Sequence, residues 1–519
     1  MAQRFRVIEF AWQRVVSLLI LVLIGACAFG VALKVGQPTA KKTALVLMAG
    51  AVPFAAVVTR RPKAVLLFAW LFSLTYSRMY YSLDRVLGNH GSQGFYWIPA
   101  DIFFAGLLGI WAYQAVVLKQ RSAPLGRASW PWLLPFFAAC VLSTLASERM
   151  SWGFFELLRL VKVGLVIWYV RCNVRREEWW VCIAALGCAM LAQSGLAITQ
   201  VALKRVGGVL SMFGIGQAAD AAFQAAGQAA VGGWIRGQGT IGHPSNLACY
   251  LLLPVPVFLA LGVTLRSKPV RLLCGVCGLI GLAGLACTLS RWPWVLAAVQ
   301  TGALAVGLVW FCKARAQRII GLLSVGAFLA AVALLPFTNF IYERITRDLS
   351  ESLDFRAKQN RTVFALATRF PMLGVGLNNY KLYLLEYEPE LEWALSKEDE
   401  VRMGLARRVF VVPHNLYFYL LAETGAIGVS MFAVLLVGVL YTGARAVSAT
   451  DGPWRAVCLA LLLGIAAVLA QQVVDFSLWV DPVLYTFALI IGLLSVAPAL
   501  SGAASAGSRH AALGDTPNV

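Results

Sequence analysis

The sequence predicts an all-α polytopic membrane protein with about 12–14 transmembrane helices and a large outer loop region ahead of the twelfth span. Three observations carry that reading. Of 519 residues, 60% are hydrophobic and only 13% charged, against about 25% charge in an ordinary soluble domain. Apolar runs close to the roughly 20 residues that a spanning helix needs recur along nearly the whole chain. Basic residues recur in every second short connection between those runs, the pattern expected of cytoplasmic loops.

In chain order the candidate spans are 15–35, 43–59, 64–76, 97–118, 130–146, 154–170, 178–202, 247–265, 272–289, 292–312, 319–339, 414–441, 456–474 and 482–499. The first follows Arg4, Arg6 and Arg14 like a signal peptide. Its run from Val15 to Leu33 outlasts the roughly 7–15 residues of a signal core, so it reads as a retained span. With the N-terminus inside, the inner connections carry Arg60, Arg61 and Lys63; Lys119, Arg121 and Arg127; Arg171, Arg175 and Arg176; Arg266, Lys268 and Arg271; Lys313, Arg315 and Arg318; and Arg445 and Arg455. Both termini then lie inside, and much of the net charge of +20 is a topology signal. No nucleic-acid partner is needed to explain it. Most of the eleven cysteines lie in or at the ends of apolar runs, where thiols pack, so neither a disulfide nor a metal site is indicated.

The expected organisation is N-terminal helices over 1–202, a Gly/Ala-rich outer loop over 203–246, central helices over 247–339, an outer loop domain over 340–413, C-terminal helices over 414–499 and a disordered tail over 500–519.

Chemistry-bearing residues collect at the outer side. Glu156, Arg159 and Lys162 recur at helical spacing within one span, either as a self-satisfied pair with a snorkelling lysine or as part of an anion site. The first outer loop ends in Trp234-Ile235-Arg236-Gly237-Gln238-Gly239-Thr240-Ile241-Gly242-His243-Pro244-Ser245-Asn246. Its glycines free the backbone and Arg236 supplies a cation for a phosphate or sugar, while His243 reads as a turn residue or a catalytic one. Ser290-Arg291-Trp292-Pro293-Trp294 forms a tight outer turn, with Arg291 as interfacial anchor or as a fixed fork for phosphate oxygens. Arg356 lies in the charged start of the large outer region, which continues into the Pro/Gly turn Pro371–Tyr380, whose glycines could bring backbone close to a ligand. Pro413 then ends that region and suits the first turn of a helix, so His414 and Asn415 stand where the twelfth span leaves the water. There are only four histidines, and imidazole is the side chain best suited to exchange a proton near neutral pH. Asp475, after the thirteenth span, either orients a base or caps a turn.

Several cations around one imidazole suit a metal-free transfer: guanidiniums neutralise a departing diphosphate while the base deprotonates a hydroxyl. No acidic cluster with metal-binding spacing stands out, and no cofactor is indicated.

Pro413-His414-Asn415-Leu416-Tyr417 through Ala422-Glu423-Thr424-Gly425-Ala426-Ile427-Gly428, the Pro371–Tyr380 turn with Arg356 eighteen residues before Gly374, and Ser290-Arg291 together resemble the O-antigen ligase and Wzy-type polymerase superfamily. The resemblance spans roughly 236–490. It implies a GT-C-like helical enzyme of the bacterial inner membrane. Such an enzyme acts at the periplasmic face and transfers a glycan from undecaprenyl diphosphate to a sugar hydroxyl of lipid A-core or of another lipid-linked repeat. Carried over, His414 matches the family's base, Arg291 and Arg356 its essential arginines, and Arg236 the arginine before its G-T-x-x-H-P-N segment, with Ser245 intervening here. The expected catalytic residues are therefore His414, Arg291 and Arg356. The expected substrate-binding residues are Arg236, Arg159, Asn415, Asp475 and Tyr417. Partners expected are the lipid-linked donor, the acceptor, the bilayer and other polysaccharide-assembly proteins. The competing reading is a small-anion, bicarbonate-like transporter, for which discontinuous mid-membrane helices and inverted repeats would speak.

Overall fold

The computed structural model describes residues 61–76, 80–83, 95–120, 122–125, 130–205, 230–231, 234–310, 317–321, 324, 326, 360–387 and 413–513. The expected spans 15–35 and 43–59, and nearly all of 319–339, lie outside the described residues. Among the described residues eight helices are long and apolar enough to cross a membrane, so the chain is an all-α polytopic membrane protein. By packing it divides into two units, one drawing on 1–78, 98–124 and 172–244, the other on 79–97, 125–171 and 245–519.

In the first unit, α1 (Pro62–Ser73), α2 (Pro99–Val116) and α5 (Arg176–Leu203) pack together. Proline at the start of α1 and α2 is tolerated because the missing N–H would be unpaired there anyway. Trp70 of α1 stacks on Phe104 of α2 with centroids 4.8 Å apart. At the other end of α1, Lys63 pairs with Glu178 at 3.1 Å. Strands β3 (Ala230–Val231) and β4 (Trp234–Ile235) form a small hairpin above α5.

The second unit opens with a hairpin of β1 (Tyr80–Leu83) and β2 (Phe95–Trp97), followed by α3 (Trp130–Leu145) and α4 (Met150–Asn173, to residue 171). It continues through α6 (Pro244–Leu251, from residue 245), α7 (Val255–Thr264), α8 (Lys268–Cys287), α9 (Arg291–Trp310), α10 (360–369), α11 (Tyr380–Tyr387), α12 (Leu416–Ser448), α13 (Gly452–Gln471) and α14 (Asp481–Leu513). The last helix thus runs on to Leu513, into the stretch expected to be disordered.

Helix α13 is the core of this unit, packed against α7, α9, α12 and α14. Small residues let the helices close up, as expected where lipid supplies no hydrophobic drive for association. A Cβ on Gly262 of α7 would lie 2.7 Å from the Gly275 Cα of α8, and one on Gly464 would lie 3.2 Å from the Leu252 and Leu253 carbonyl oxygens. On the outside, Leu272 (70% exposed), Val299 (64%) and Val306 (69%) are open. That exposure is natural for a surface that faces hydrocarbon rather than water.

The expected twelfth span, read as one continuous run, is interrupted. At 33 residues α12 would measure about 50 Å, more than the roughly 30 Å hydrocarbon core. It breaks at Gly425, where φ is +64° and ψ −168°, a region essentially reserved for glycine. The break leaves main-chain groups of α12 unpaired by the helix, and the Pro371–Gly376 turn takes them up. Val375 N–H donates to Ala422 O at 3.0 Å and Gly376 N–H to Glu423 O at 2.9 Å. Beyond the break, Ala426 N–H donates to Pro371 O at 2.9 Å and Ile427 N–H to Met372 O at 3.2 Å. The glycines of this turn therefore bring it against helix backbone rather than against a ligand.

Candidate active site

The chemistry-bearing end of the second unit is built on the C-terminus of α13. A helix leaves its last carbonyls without intrahelical partners, and here two other helices supply donors. Tyr417 Oη donates to Leu469 O at 2.8 Å, Trp292 Nε1 to Ala470 O at 3.4 Å, and Leu416 N–H to Gln472 O at 3.0 Å. The groups that satisfy α13 thus come from the first turns of α9 and α12, which begin at Arg291 and just after His414. Arg291 and His414 consequently sit at one end of the bundle. Both helix N-termini also bring the positive ends of their dipoles there.

Three of the expected binding residues hold this end together. Asn415 is the N-cap of α12, its Oδ1 accepting from Phe418 N–H at 3.1 Å, as asparagine does at such positions. Tyr417 is tied to Leu469 as described. Asp475 lies in the turn after α13. Its Oδ1 accepts from Phe476 N–H at 2.8 Å and stands 3.9 Å from His414 Nδ1. Its Oδ2 accepts from Ser477 Oγ at 2.8 Å and from Gln471 Nε2 at 3.3 Å. The His414 side chain is 42% exposed and that of Asp475 15%, so the imidazole reaches solvent while the carboxylate stands behind it. The turn is fixed further by Gln472, whose Oε1 accepts from Leu478 N–H at 2.8 Å.

Arg159 lies in the same unit but in a closed network. Its Nε donates to Asp481 Oδ1 at 2.8 Å, one terminal nitrogen to Glu156 Oε1 at 2.9 Å, and the other to the Trp479 carbonyl. Tyr96 Oη donates to the same Asp481 oxygen at 3.0 Å. Burial, and then the Asp481 charge, push the Tyr96 phenol well above its ordinary pKa, so it stays a donor. A guanidinium only 7% exposed and bonded this way braces the start of α14, and Lys162 Nζ lies 4.1 Å from the centroid of the Tyr485 ring. The sequence offered Glu156 as partner at i−3; Asp481 and Tyr96, 322 and 385 residues away from their partners in the chain, carried no local signal.

Arg236 belongs to the first unit. It follows β4 and leads into a loop that α5 grips by two carboxamides. Gln200 Oε1 accepts from Gln238 N–H and Gly239 N–H, both at 2.9 Å, and its Nε2 donates to Gly239 O at 3.0 Å. Gln193 exchanges two bonds with Thr240, at 2.9 and 2.8 Å. Of the loop's glycines Gly239 thus binds a helix, while Arg236 and His243 stand at the two ends of the locked loop. Arg356 lies outside the described residues; α10 begins four residues later, and its Phe364 packs edge-to-face on Phe418 of α12 with centroids 5.3 Å apart.

Glu423, nine residues into α12 from His414, is 1% exposed. Its Oε1 accepts from Tyr380 N–H at 3.4 Å and its carbonyl from Ser143 Oγ at 2.7 Å, so it serves the α12 break. An apolar groove of about 250 Å³ runs beneath the site turn, between α3, α4, α12 and α14; Phe136, Leu160, Phe432, Trp479 and Phe487 are among its walls. Among the described residues no three His, Cys, Asp or Glu side chains converge to hold a metal ion.

Residues 276–433 match the family model described as O-antigen ligase. The matched stretch contains Arg291, Arg356 and His414, and it leaves Arg159, Arg236 and Asp475 outside. No curated protein matches the chain. The anion-transporter reading finds no support in this match. The helix break at Gly425 is filled by the chain's own backbone.

Proposed function

We propose, from the match over 276–433, that the chain is a glycan-transferring membrane enzyme of the O-antigen ligase/polymerase superfamily, with the following reaction and site. The protein transfers a glycan from undecaprenyl diphosphate to an acceptor sugar hydroxyl at the periplasmic face of the bacterial inner membrane, with both termini cytoplasmic and without a metal ion. His414 Nε2 takes the proton of the acceptor hydroxyl. The freed oxygen forms the new bond to the anomeric carbon as the bond from that carbon to the diphosphate breaks. The lipid diphosphate leaves with its charge held by the planar forks of Arg291 and Arg356. Asp475, facing Nδ1, orients the imidazole and balances the charge it gains.

The observation that carries this reading is the convergence of His414, Asp475 and the Arg291 helix start on the α13 terminus. The apolar groove below Trp479 supports a lipid-borne donor. The test is reconstitution in proteoliposomes with an undecaprenyl-diphosphate oligosaccharide. A general base contributes roughly 10²–10⁴ in rate, so His414→Ala should lose at least about a hundredfold in kcat. Undiminished turnover by that variant would refute the role. Deleting the gene and typing the surface glycan separates the two acceptors. Single repeat units on the final acceptor indicate a lost polymerase, and accumulated long lipid-linked chains a lost ligase.

A further inference from the structure

The carboxylate behind His414 is itself held by groups that have no part in the transfer step above. Asp475 Oδ1, the oxygen facing the imidazole, is fixed only if the carboxyl group does not turn about its Cβ–Cγ bond. That rotation is resisted at both oxygens: Oδ1 accepts from Phe476 N–H at 2.8 Å, and Oδ2 receives Ser477 Oγ at 2.8 Å and Gln471 Nε2 at 3.3 Å. Both residues are buried, Ser477 completely and Gln471 to within 2%, so water cannot stand in for either without opening the turn. The turn is also pinned just after Ser477, where Leu478 N–H donates to Gln472 Oε1 and the Arg159 guanidinium binds the Trp479 carbonyl and the Asp481 carboxylate.

We propose that Ser477 is a positioning residue for the His414 base, acting through Asp475, and that Arg159 anchors the turn that carries both. The proposal rests on the His414 reading above and adds to it the residues that set the geometry of the base. A hydroxyl-to-carboxylate hydrogen bond is charge-assisted and correspondingly directional. Removing it loosens the alignment of Asp475 with Nδ1 while leaving every substrate contact in place. The effect therefore falls on kcat and not on donor affinity.

The full chain in nanodiscs is assayed with an undecaprenyl-diphosphate oligosaccharide. Ser477→Ala should lower kcat about tenfold, the equivalent of one hydrogen bond to a charged group, with the donor KM unchanged. Ser477→Thr keeps a hydroxyl on the same carbon and should restore most of the rate. In an Asp475→Asn background Ser477→Ala should add no further loss, because coupled residues are non-additive. Should Ser477→Ala melt well below the wild type, Gln471→Leu, which removes the other donor to Oδ2, is read for the same split between kcat and KM. A wild-type kcat in Ser477→Ala, a loss confined to donor KM, or an equal penalty with and without Asp475 would overturn the proposal. Full turnover by His414→Ala would instead overturn the His414 reading. An inactive His414→Ala beside a fully active Ser477→Ala would overturn the Ser477 role alone.

Discussion

Replacing Gly425 by alanine tests how the His414 helix is tied to the Pro371–Gly376 turn. At φ +64° and ψ −168° an L residue carries a conformational cost of about 1–3 kcal/mol. A Cβ there would also lie 2.4 Å from both the carbonyl carbon and the oxygen of Met372. These are main-chain atoms and cannot swing aside like the end of a side chain, so the turn has to move. Moving it breaks the paired bonds from Val375, Gly376, Ala426 and Ile427 N–H, each worth about 1 kcal/mol net. The combined penalty is about 5–7 kcal/mol, enough to unfold a marginal protein. Gly374 faces the same junction from the other side, with φ +65° and a Cβ 2.4 Å from the Glu423 carbonyl carbon. Gly109 is the internal control: it is helical with nothing within 4 Å of an added Cβ, so alanine there should be neutral or gain up to about 1 kcal/mol. Detergent-solubilised variants are compared by tryptophan-monitored denaturation. Gly425→Ala and Gly374→Ala should both melt far below Gly109→Ala. If Gly425→Ala were as stable as that control, the pairing of the turn with the break in α12 would be refuted.

Other perturbations follow from the same contacts. Arg159→Ala leaves Asp481 and Glu156 buried without their guanidinium and should cost about 3–5 kcal/mol in denaturant titrations; a loss below 1 kcal/mol would contradict the closed network. Gln200→Leu removes the acceptor of two amides and the donor to one carbonyl, so hydrogen exchange at Gln238 and Gly239 should accelerate by two orders of magnitude or more, about 1 kcal/mol per lost bond. Unchanged protection there would refute the carboxamide grip. Arg291→Lys keeps the charge but not the planar fork, so glycan transfer should fall about a hundredfold, in line with the loss of one transition-state donor. Near wild-type turnover would show that Arg291 is an interfacial anchor.

Membrane class and span positions were legible because hydrocarbon demands long apolar runs whatever their neighbours. Lys268–Cys287, Arg291–Trp310 and Gly452–Gln471 lie close to the expected runs. The break in α12 was not legible. Gly425 follows Glu423 and Thr424 inside an otherwise apolar run with no proline to mark a break, and only the distant Pro371–Gly376 turn makes its conformation affordable. The candidate site divides in the same way. His414, Arg291 and Asp475 stood out as polar residues at span ends, whereas the capping role of Asn415, expected there as a substrate-binding residue, came only with the structure. What the local pattern could not convey was the pairing of groups across the chain, such as Tyr96 and Arg159 with Asp481. It was equally silent on which of two plausible partners a cation takes. Arg159 reads alike in sequence whether it meets a phosphate or a carboxylate.

The account stands or falls on where the donor's diphosphate lies. A density map of the full chain with an undecaprenyl-diphosphate oligosaccharide bound, in nanodiscs and with His414→Ala to stop turnover, measures this directly. The diphosphate is expected at the α13 terminus, within hydrogen-bonding reach of the Arg291 guanidinium, with the anomeric carbon facing position 414. Diphosphate density away from the α9 and α12 N-termini would contradict it.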